Sequence, residues 1–305
     1  MIKRSVQTIL KRVGLYNRLK ASCLYDLYWR VADSRIIEGR SREVKFYRDL
    51  LEGFKSGDLI FDIGANYGQK TDIFLRLGAR VLAVDPDEMN QAALRDKFLR
   101  YRWVEKPVAI VGKAVSDKCA VHTMWIDEPG SAKNTLSQKW VDALRGDDAR
   151  FGHRLKFAQR KEVEAISLEE LIMTYGAPFF VKIDVEGYEP HVLRGLKRPI
   201  PYLSFEVNLP EFKQEGLDCI EMLGGIAADG KFNYAVDCEQ GIVLDRWLTL
   251  SEFKEVFKSC SESSLEVFWK TTCLSLNQGQ VPGHSCHSRE GSSSLSGGSG
   301  HSRIV

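Results

Sequence analysis

The stretch FDIGANYGQKT, residues 61–71, ends a run of apolar residues and opens a glycine-containing turn. A strand, a tight turn and a following helix are the first unit of open α/β folds, which bind ligands at the carboxyl ends of their strands. Gly64 and Gly68 allow the backbone to bend sharply, and the helix that follows offers free N–H groups to an anionic group. We therefore expect a ligand site at this turn.

The residues in and before the turn indicate which ligand it binds. A dinucleotide motif of the G-x-G-x-x-G type needs glycines at 64, 66 and 69, where this sequence has Gly64, Asn66 and Gln69. A carboxylate at Asp62 would repel a pyrophosphate but would stabilise the positive sulfonium and ammonium groups of S-adenosylmethionine. The alternative is that Asp62 only caps the turn and that the glycines only shape it.

The second and third apolar runs point to an adenosine ligand. VLAVDPD, residues 81–87, places Asp85 21 positions after Gly64, and an acid about 20 residues after the glycine turn binds ribose hydroxyls in such folds. GKAVSDK, residues 112–118, brings Ser116 or Asp117 to a position that could approach the adenine edge. The same Ser-Asp-Lys sequence is also typical of an ordinary turn.

Apolar runs alternate with helical patterns from residue 58 onward, which is typical of a parallel sheet with helices on both faces. The predicted strands are Leu59–Ile63, Val81–Asp85, Val108–Val115, Phe179–Asp184 and Tyr202–Val207. A helix is predicted to start at the capping box formed by Ser167 and Glu170. FNYAVDCEQGIVL, residues 232–244, predicts a hairpin, and LEVFWK, residues 265–270, a further strand. The sequence therefore predicts an α/β fold with a doubly wound, mostly parallel sheet and an antiparallel edge hairpin.

Composition divides the chain into a main domain over residues 51–276 and two flanks. Residues 1–50 have apolar residues at helical spacing among many Lys and Arg, which predicts a basic helical extension. This extension either packs on the main domain or contacts an anionic membrane surface. Residues 277–305 are rich in Gly and Ser and are predicted to be disordered. Residues 127–161 predict an inserted loop that covers one end of the sheet or forms a solvated surface segment.

Overall composition limits the classes of function. A net charge of +2 does not indicate a nucleic-acid-binding protein. The seven cysteines are scattered and form no C-x-x-C pair, as expected for reduced thiols in the cytoplasm. The sequence contains neither an apolar run of membrane-spanning length nor the apolar core of a secretion signal. We therefore expect a soluble cytoplasmic protein.

These motifs, together with SLEELI, FVKIDVEGYEPHVLRGL (residues 180–196) and LSFEVN, resemble those of the FkbM family of S-adenosylmethionine-dependent methyltransferases. The resemblance covers about residues 55–210, and residues 180–196 are its most specific part. It implies a class I methyltransferase (Rossmann-like) fold and, commonly, methylation of a hydroxyl group on a sugar or other small metabolite. It also implies that Asp62, Gly64, Asn66 and Gly68 hold the methionine part of the cofactor and that Asp85 holds the ribose.

Methyl transfer to a hydroxyl group needs an acceptor oxygen in line with the methyl group and a base for the hydroxyl proton. Asp184 and Glu186 lie at the end of the fourth predicted strand and are candidates to orient the acceptor. His191 is an alternative base because its ordinary pKa is near neutral, although it could equally be a helix-face residue. Glu206 and Asn208, with Asp184, could bind magnesium or form a hydrogen-bonded substrate pocket.

The leading hypothesis is an S-adenosylmethionine-dependent O-methyltransferase with a small-molecule or glycan acceptor. A nucleotide-dependent oxidoreductase is one alternative. The other is a catalytically inactive scaffold that reaches a membrane-associated glycan assembly site through the basic residues of the first 50 positions. The presence of the predicted cofactor residues argues against the scaffold.

Overall fold

The computed structural model describes residues 34–99, 108–145 and 155–271. The helices are α1 (Ser34–Leu50), α2 (Gln69–Leu77), α3 (Glu88–Lys97), α4 (Gln138–Arg145), α5 (Leu168–Tyr175), α6 (Glu189–Arg194), α7 (Lys213–Ile226) and α8 (Leu250–Ser259). The strands are β1 (Leu59–Ile63), β2 (Arg80–Val84), β3 (Val108–Val111), β4 (Ala114–Ser116), β5 (Ala120–Ile126), β6 (Gln159–Ser167), β7 (Phe180–Ile183), β8 (Tyr202–Asn208), β9 (Lys231–Ala235) and β10 (Ser264–Lys270).

Seven strands form the main sheet in the order β3-β2-β1-β7-β8-β10-β9. Neighbours from β3 to β8 are parallel, whereas β10 is antiparallel to both β8 and β9. The chain moves outward from β1 to β3 and later returns to the other side of β1 at β7, so the strand order reverses between these two strands. Open α/β sheets bind their ligands at such a reversal.

Buried side chains cover both faces of this sheet. Phe61 and Val181 belong to a core shared with α5 to α8, and Ile60 and Phe180 belong to a core shared with α1, α2 and α3. This alternation follows from the period of two along a strand. The structure thus confirms the predicted doubly wound α/β fold with an antiparallel edge, which is the class I methyltransferase fold that the resemblance implies.

Two predicted elements differ from the structure. The single strand predicted over Val108–Val115 is wrong, because β3 belongs to the main sheet while β4 pairs with β6 in a separate sheet of order β4-β6-β5. The hairpin predicted within residues 232–244 differs in its pairing: the chain turns back along β9, but the strand partner of β9 is β10. The segment after β9 returns to it with the Val243 N–H donating to the Tyr234 carbonyl at 2.8 Å. The strand predicted over residues 265–270 is confirmed as part of β10.

Helix α1 packs on the sheet through Tyr47, whose ring is fully buried against Phe74 and Phe180 at centroid distances of 5.0 and 5.8 Å. Glu43 on the same helix forms an ion pair with Lys70 on α2. The part of the basic extension before residue 34 and the Gly/Ser-rich tail lie outside the described residues. Within residues 34–99, 108–145 and 155–271, no helix has both the length and the apolar character to cross a membrane.

Candidate active site

The carboxyl ends of β1, β2 and β7 surround one cleft with an empty volume of about 580 Å³. Five of the residues singled out from the sequence line it: Gly64, Asn66, Asp85, Asp184 and Glu186. The strand ends therefore bring together residues that are more than 100 positions apart in the chain.

The turn after β1 makes its closest approach at Gly64. Its φ is +81°, and a Cβ atom at this position would lie 1.7 Å from the Asp184 carbonyl oxygen. The Gly64 and Ala65 N–H groups both donate to the Val84 carbonyl at the end of β2, at 2.9 and 3.1 Å. Only glycine fits here, because the backbone of this turn lies directly against the end of β7.

Gly68, in contrast, serves helix packing. It is the N-cap of α2 with φ +70°, and a Cβ atom there would lie 2.6 Å from the Phe98 ring and 2.7 Å from Leu94. Gly68 does not line the cleft. The structure thus places it against the α3 region, and the cofactor contact that the resemblance implies for it stays a prediction.

Asp62 lies beneath the turn and has only 1% of its surface exposed. Its Oδ2 accepts a hydrogen bond from the Thr71 hydroxyl at 2.5 Å, whereas Oδ1 is buried and has no hydrogen-bond partner among the described residues. Burial raises the pKa of Asp62, and Lys182 and Thr71 oppose this shift. Asp62 is not among the residues that line the cleft, and its contact with a cationic ligand stays a prediction.

Asp85 is placed to bind a ligand hydroxyl group. It lines the cleft with 5% of its surface exposed, and its Oδ2 accepts the Asn66 N–H at 2.8 Å. Its Oδ1 accepts the Asp87 N–H at 2.9 Å and the Asn90 amide at 3.2 Å. Burial raises the pKa of Asp85 to about 6 against these hydrogen bonds. A carboxylate oxygen accepts more than one hydrogen bond, so Oδ2 can accept a second from a ligand.

Part of the inserted segment spans the cleft. The Gly130 N–H and the Asn134 amide both donate to Asp87 Oδ2 at 2.9 Å. On the other side, the Thr135 hydroxyl donates to the Glu186 carbonyl at 2.7 Å. Residues 131, 132 and 134–136 line the cleft. The segment thus links the ends of β2 and β7, in agreement with the expectation of a cover. Asp87 is the anchor that the sequence reasoning missed.

The end of β7 carries a group of carboxylates and lysines. Lys182 Nζ lies 2.8 Å from Asp184 Oδ2, and Lys133 Nζ lies 3.0 Å from Glu186 Oε1. Glu186 has φ +54°, so the chain turns sharply directly after the strand, as the sequence predicts. Two of the carboxylates that line the cleft, Asp184 and Glu186, are therefore each paired with a lysine.

Asp184, Glu186 and the nearby Glu206 differ in pKa because their surroundings differ. Burial works to raise the pKa of Asp184, but Lys182, a hydrogen bond from Glu206 and the charge of Lys70 together lower that pKa below its usual value. Burial raises the pKa of Glu186 to about 8 in spite of Lys133. Burial and the charge of Asp184 raise the pKa of Glu206 to about 7. Of these three acids, Asp184 is therefore the one whose surroundings favour the ionised form.

Two other predicted site residues lie away from the cleft. His191 is exposed on α6 and stacks on Tyr188 with ring centroids 4.1 Å apart. Partial burial and Arg194 lower its pKa. Asp117 accepts a hydrogen bond from the Ser116 hydroxyl at 3.2 Å and lines a separate surface pocket. Neither residue lines the cleft. The structure brings Lys113 and Met124, instead of Asp117, to the β4–β5 side of the cleft.

Glu206 and Asn208 do not line the cleft; they line a separate cavity of about 240 Å³. Glu206 Oε1 accepts a hydrogen bond from the Ser264 hydroxyl at 2.9 Å. Throughout the part of the chain that the structure describes, no group of three or more His, Cys, Asp or Glu side chains could hold a metal ion. The geometry thus gives no support to a magnesium site.

Glu189 is the first residue of α6 and bonds to the turn that precedes the helix. The N-cap of α6 is Tyr188. The Glu189 carboxylate accepts the Val185 and Gly187 N–H groups, both on Oε1, at 3.1 and 3.3 Å. Burial raises the pKa of Glu189 to about 8. Glu189 therefore braces the turn that presents Glu186 to the cleft.

Comparisons with known proteins agree with the family resemblance. The model of the methyltransferase FkbM domain matches residues 62–234. No curated protein matches the sequence.

Similar solved structures include three methyltransferases. A SAM-dependent methyltransferase from Agrobacterium tumefaciens has a TM-score of 0.38 at 9% identity, over 76% of this chain and 62% of that chain. A TehB-like SAM-dependent methyltransferase from Corynebacterium glutamicum has a TM-score of 0.37 at 9% identity, over 75% of this chain and 87% of that chain. An O-methyltransferase from Bacillus cereus, in complex with SAH, has a TM-score of 0.34 at 11% identity, over 77% and 81%. This chain spans less than two thirds of the Agrobacterium protein.

Proposed function

The chain belongs to the FkbM methyltransferase family, and from that premise we propose that it transfers a methyl group from S-adenosylmethionine to a hydroxyl oxygen of a sugar or other small metabolite. The observation that supports this proposal best is the single cleft lined by the glycine turn, by Asp85 and by Asp184. In this proposal, Asp85 binds the adenosine part of the cofactor and Asp184 accepts the proton, and both line the same cleft. Each of the three parts has a separate task in such a reaction.

The residues of the cleft fit the cofactor. The turn at Gly64 lines the cleft and packs against the end of β7 without space for a side chain. Asp85 retains hydrogen-bonding capacity for the ribose hydroxyls on Oδ2, and Asn66 orients it through its N–H. We assign Gly64 and Asn66 to the methionine part and Asp85 to the ribose. When bound, S-adenosylmethionine supplies a methyl group that its sulfonium makes electrophilic.

Asp184 is the residue that we assign to the acceptor. It lines the cleft with 31% of its side chain exposed, so a ligand hydroxyl can reach it. Lys182 lowers its pKa, and the carboxylate is therefore ionised at neutral pH and can accept the hydroxyl proton. Glu186, whose pKa burial raises to about 8, is largely protonated there and is a hydrogen-bond donor to the acceptor.

The lining of the cleft also supports the class of acceptor. Carboxylates and amides from Asp85, Asn90, Asn134, Asp184 and Glu186 surround it. Such groups pair with hydroxyl-rich molecules, whereas they repel the phosphates of a nucleic acid. We therefore propose a small-molecule or glycan acceptor.

Titration calorimetry with S-adenosylmethionine and with NAD tests the cofactor. We expect binding of S-adenosylmethionine only, lost in Gly64→Val through steric collision and weakened in Asp85→Ala through loss of the ribose contact. Binding of NAD alone would favour the oxidoreductase. Absence of both ligands would favour the inactive scaffold.

A labelled-methyl transfer assay against fractionated extracts then tests the acceptor. Mass spectrometry of the labelled product should show one methyl group in place of one hydroxyl hydrogen. Label on nitrogen or carbon would contradict the proposed O-methylation while leaving the methyltransferase activity intact.

A further inference from the structure

Lys182 occupies an unusual position for a lysine. It lies in β7, in the middle of the main sheet, and only 3% of its surface is exposed. Its neighbours in the strand, Val181 and Ile183, are fully buried on the opposite face. Lysine is almost never buried to this extent unless its charge is paired. A reason for a cation at this position must therefore lie in its immediate surroundings.

Lys182 lies beside residues of both neighbouring strands and beside Asp184. Asp62 of β1 is its partner in the parallel register on one side, and Ser204 of β8 is its partner on the other. Its Nζ lies 2.8 Å from Asp184 Oδ2, on the same face of the strand. Lys182 thus lies between Asp62, beneath the glycine turn, and Asp184, which we assign to the acceptor.

The charged groups that act on Lys182 and Asp184 come from every element packed against them. They are Asp62 on β1, Lys70 on α2, Glu206 on β8, Glu266 on β10, and Glu186 on the turn after β7. Among these, Lys182 is the cation in hydrogen-bond contact with Asp184. The carboxylates exceed the lysines in number, so removal of this lysine leaves negative charge buried without its closest partner.

We propose that Lys182 is a positioning residue whose buried ammonium group holds the Asp184 carboxylate ionised at the cleft and acts at longer range on the charge of Asp62 beneath the glycine turn. This inference rests on the proposed function for the role of Asp184 as proton acceptor. An apolar residue would fill the position without the cost of burying a charge. A lysine there is explained by the need to keep a half-buried carboxylate in its charged form.

The test measures the ionisation of Asp184 directly and needs neither cofactor nor acceptor. In protein labelled with ¹³C at the aspartate carboxyls, the Asp184 signal is assigned by its loss in Asp184→Asn. In the wild type we expect this signal to remain that of a carboxylate from about pH 5 to pH 8, since Lys182 keeps its pKa low. In Lys182→Met the carboxyl should titrate inside that window, a shift of more than tenfold in its acid dissociation constant.

Two control variants separate this role from a loss of packing. Lys182→Arg retains the charge and should restore the wild-type titration. Asn233→Ala removes a fully buried amide on β9 that bonds the Leu244 and Arg246 carbonyls, and it should lower stability without moving the Asp184 signal. If Lys182→Met does not fold, Lys182→Gln, which has a hydrogen-bond donor but no charge, gives the same comparison.

The link to Asp62 is tested by calorimetry with S-adenosylhomocysteine. We expect Lys182→Met to bind it at least tenfold more weakly than the wild type, and Asn233→Ala to bind it equally well. An Asp184 signal that stays ionised in folded Lys182→Met would overturn the inference, even if cofactor binding is normal. Failure of the wild type to bind S-adenosylmethionine would instead contradict the proposed function and leave the titration result standing.

Discussion

Replacing Gly64 by alanine tests how closely the glycine turn approaches the end of β7. The added Cβ would lie 1.7 Å from the Asp184 carbonyl oxygen and 2.8 Å from its carbonyl carbon. These neighbours are backbone atoms and cannot rotate away. The turn would therefore move away from β7, and both sides of the cleft would be displaced from each other.

The expected loss in the free energy of unfolding of Gly64→Ala has two parts. A side chain at φ +81° costs about 1–2 kcal/mol because the left-handed region is unfavourable for L-residues. Relief of the overlap adds about 1–3 kcal/mol, the usual range for an extra methyl group in a packed interior. We expect Gly64→Ala to lower the free energy of unfolding by roughly 2–5 kcal/mol and to abolish binding of S-adenosylmethionine.

Gly53 offers a matched control. Its φ is +84°, close to that of Gly64, but a Cβ there would meet nothing within 4 Å. Gly53→Ala should therefore show only the backbone contribution of about 1–2 kcal/mol and should bind the cofactor normally. Urea denaturation gives the two free energies, and calorimetry gives the two affinities. Equal destabilisation in both variants, with binding retained in Gly64→Ala, would refute the proposed close approach.

Three further predictions concern the turn after β7, the cover and a helix cap. The pKa of Glu189 is raised to about 8, so its neutral form stabilises the folded protein at low pH and this contribution is lost as the pH rises through about 8. Glu189→Gln retains the acceptor for both turn N–H groups, and its melting temperature should fall less than that of the wild type between about pH 6 and pH 9; an equal fall would disprove the assignment. Thr135→Val removes the hydroxyl that donates to the Glu186 carbonyl, and stopped-flow measurements should show faster release of S-adenosylhomocysteine, with an unchanged rate arguing against a cover. Ser167→Ala removes one half of a capping box and should cost about 1 kcal/mol in urea denaturation with no effect on ligand affinity.

The sequence predicts well those features that local pattern determines. β1 has the predicted bounds, and the capping box at Ser167 and Glu170 is present. Gly64, Asn66, Asp85, Asp184 and Glu186 reach one cleft, since parallel strands place the residues that follow them at the same edge. Position after a strand is a local property, so one sequence suffices to identify these residues.

Features that depend on distant partners are not predicted. The side-chain alternation places Asp62 on one face of β1, but only the three-dimensional structure shows that α2 covers that face and buries the carboxylate. The break between β3 and β4 is set by the pairing of β4 with β6, and β9 pairs with a strand that lies beyond α8. Such pairings leave no mark on the local periodicity, because each strand alone retains its apolar alternation.

The contact of Gly64 with Asp184 has a consequence for the order of folding. Gly64 follows β1 and Asp184 follows β7, and the chain between them contains two strands of the main sheet, β2 and β3, and the whole second sheet. Contacts that close such a long stretch of chain form slowly. During synthesis, a ribosome-bound chain that has not yet emerged as far as β7 has no complete pocket. Nascent chains should therefore bind an adenosine ligand only after residue 186 has left the exit tunnel. Ligand binding by ribosome-bound chains would then show when the central part of the sheet is complete.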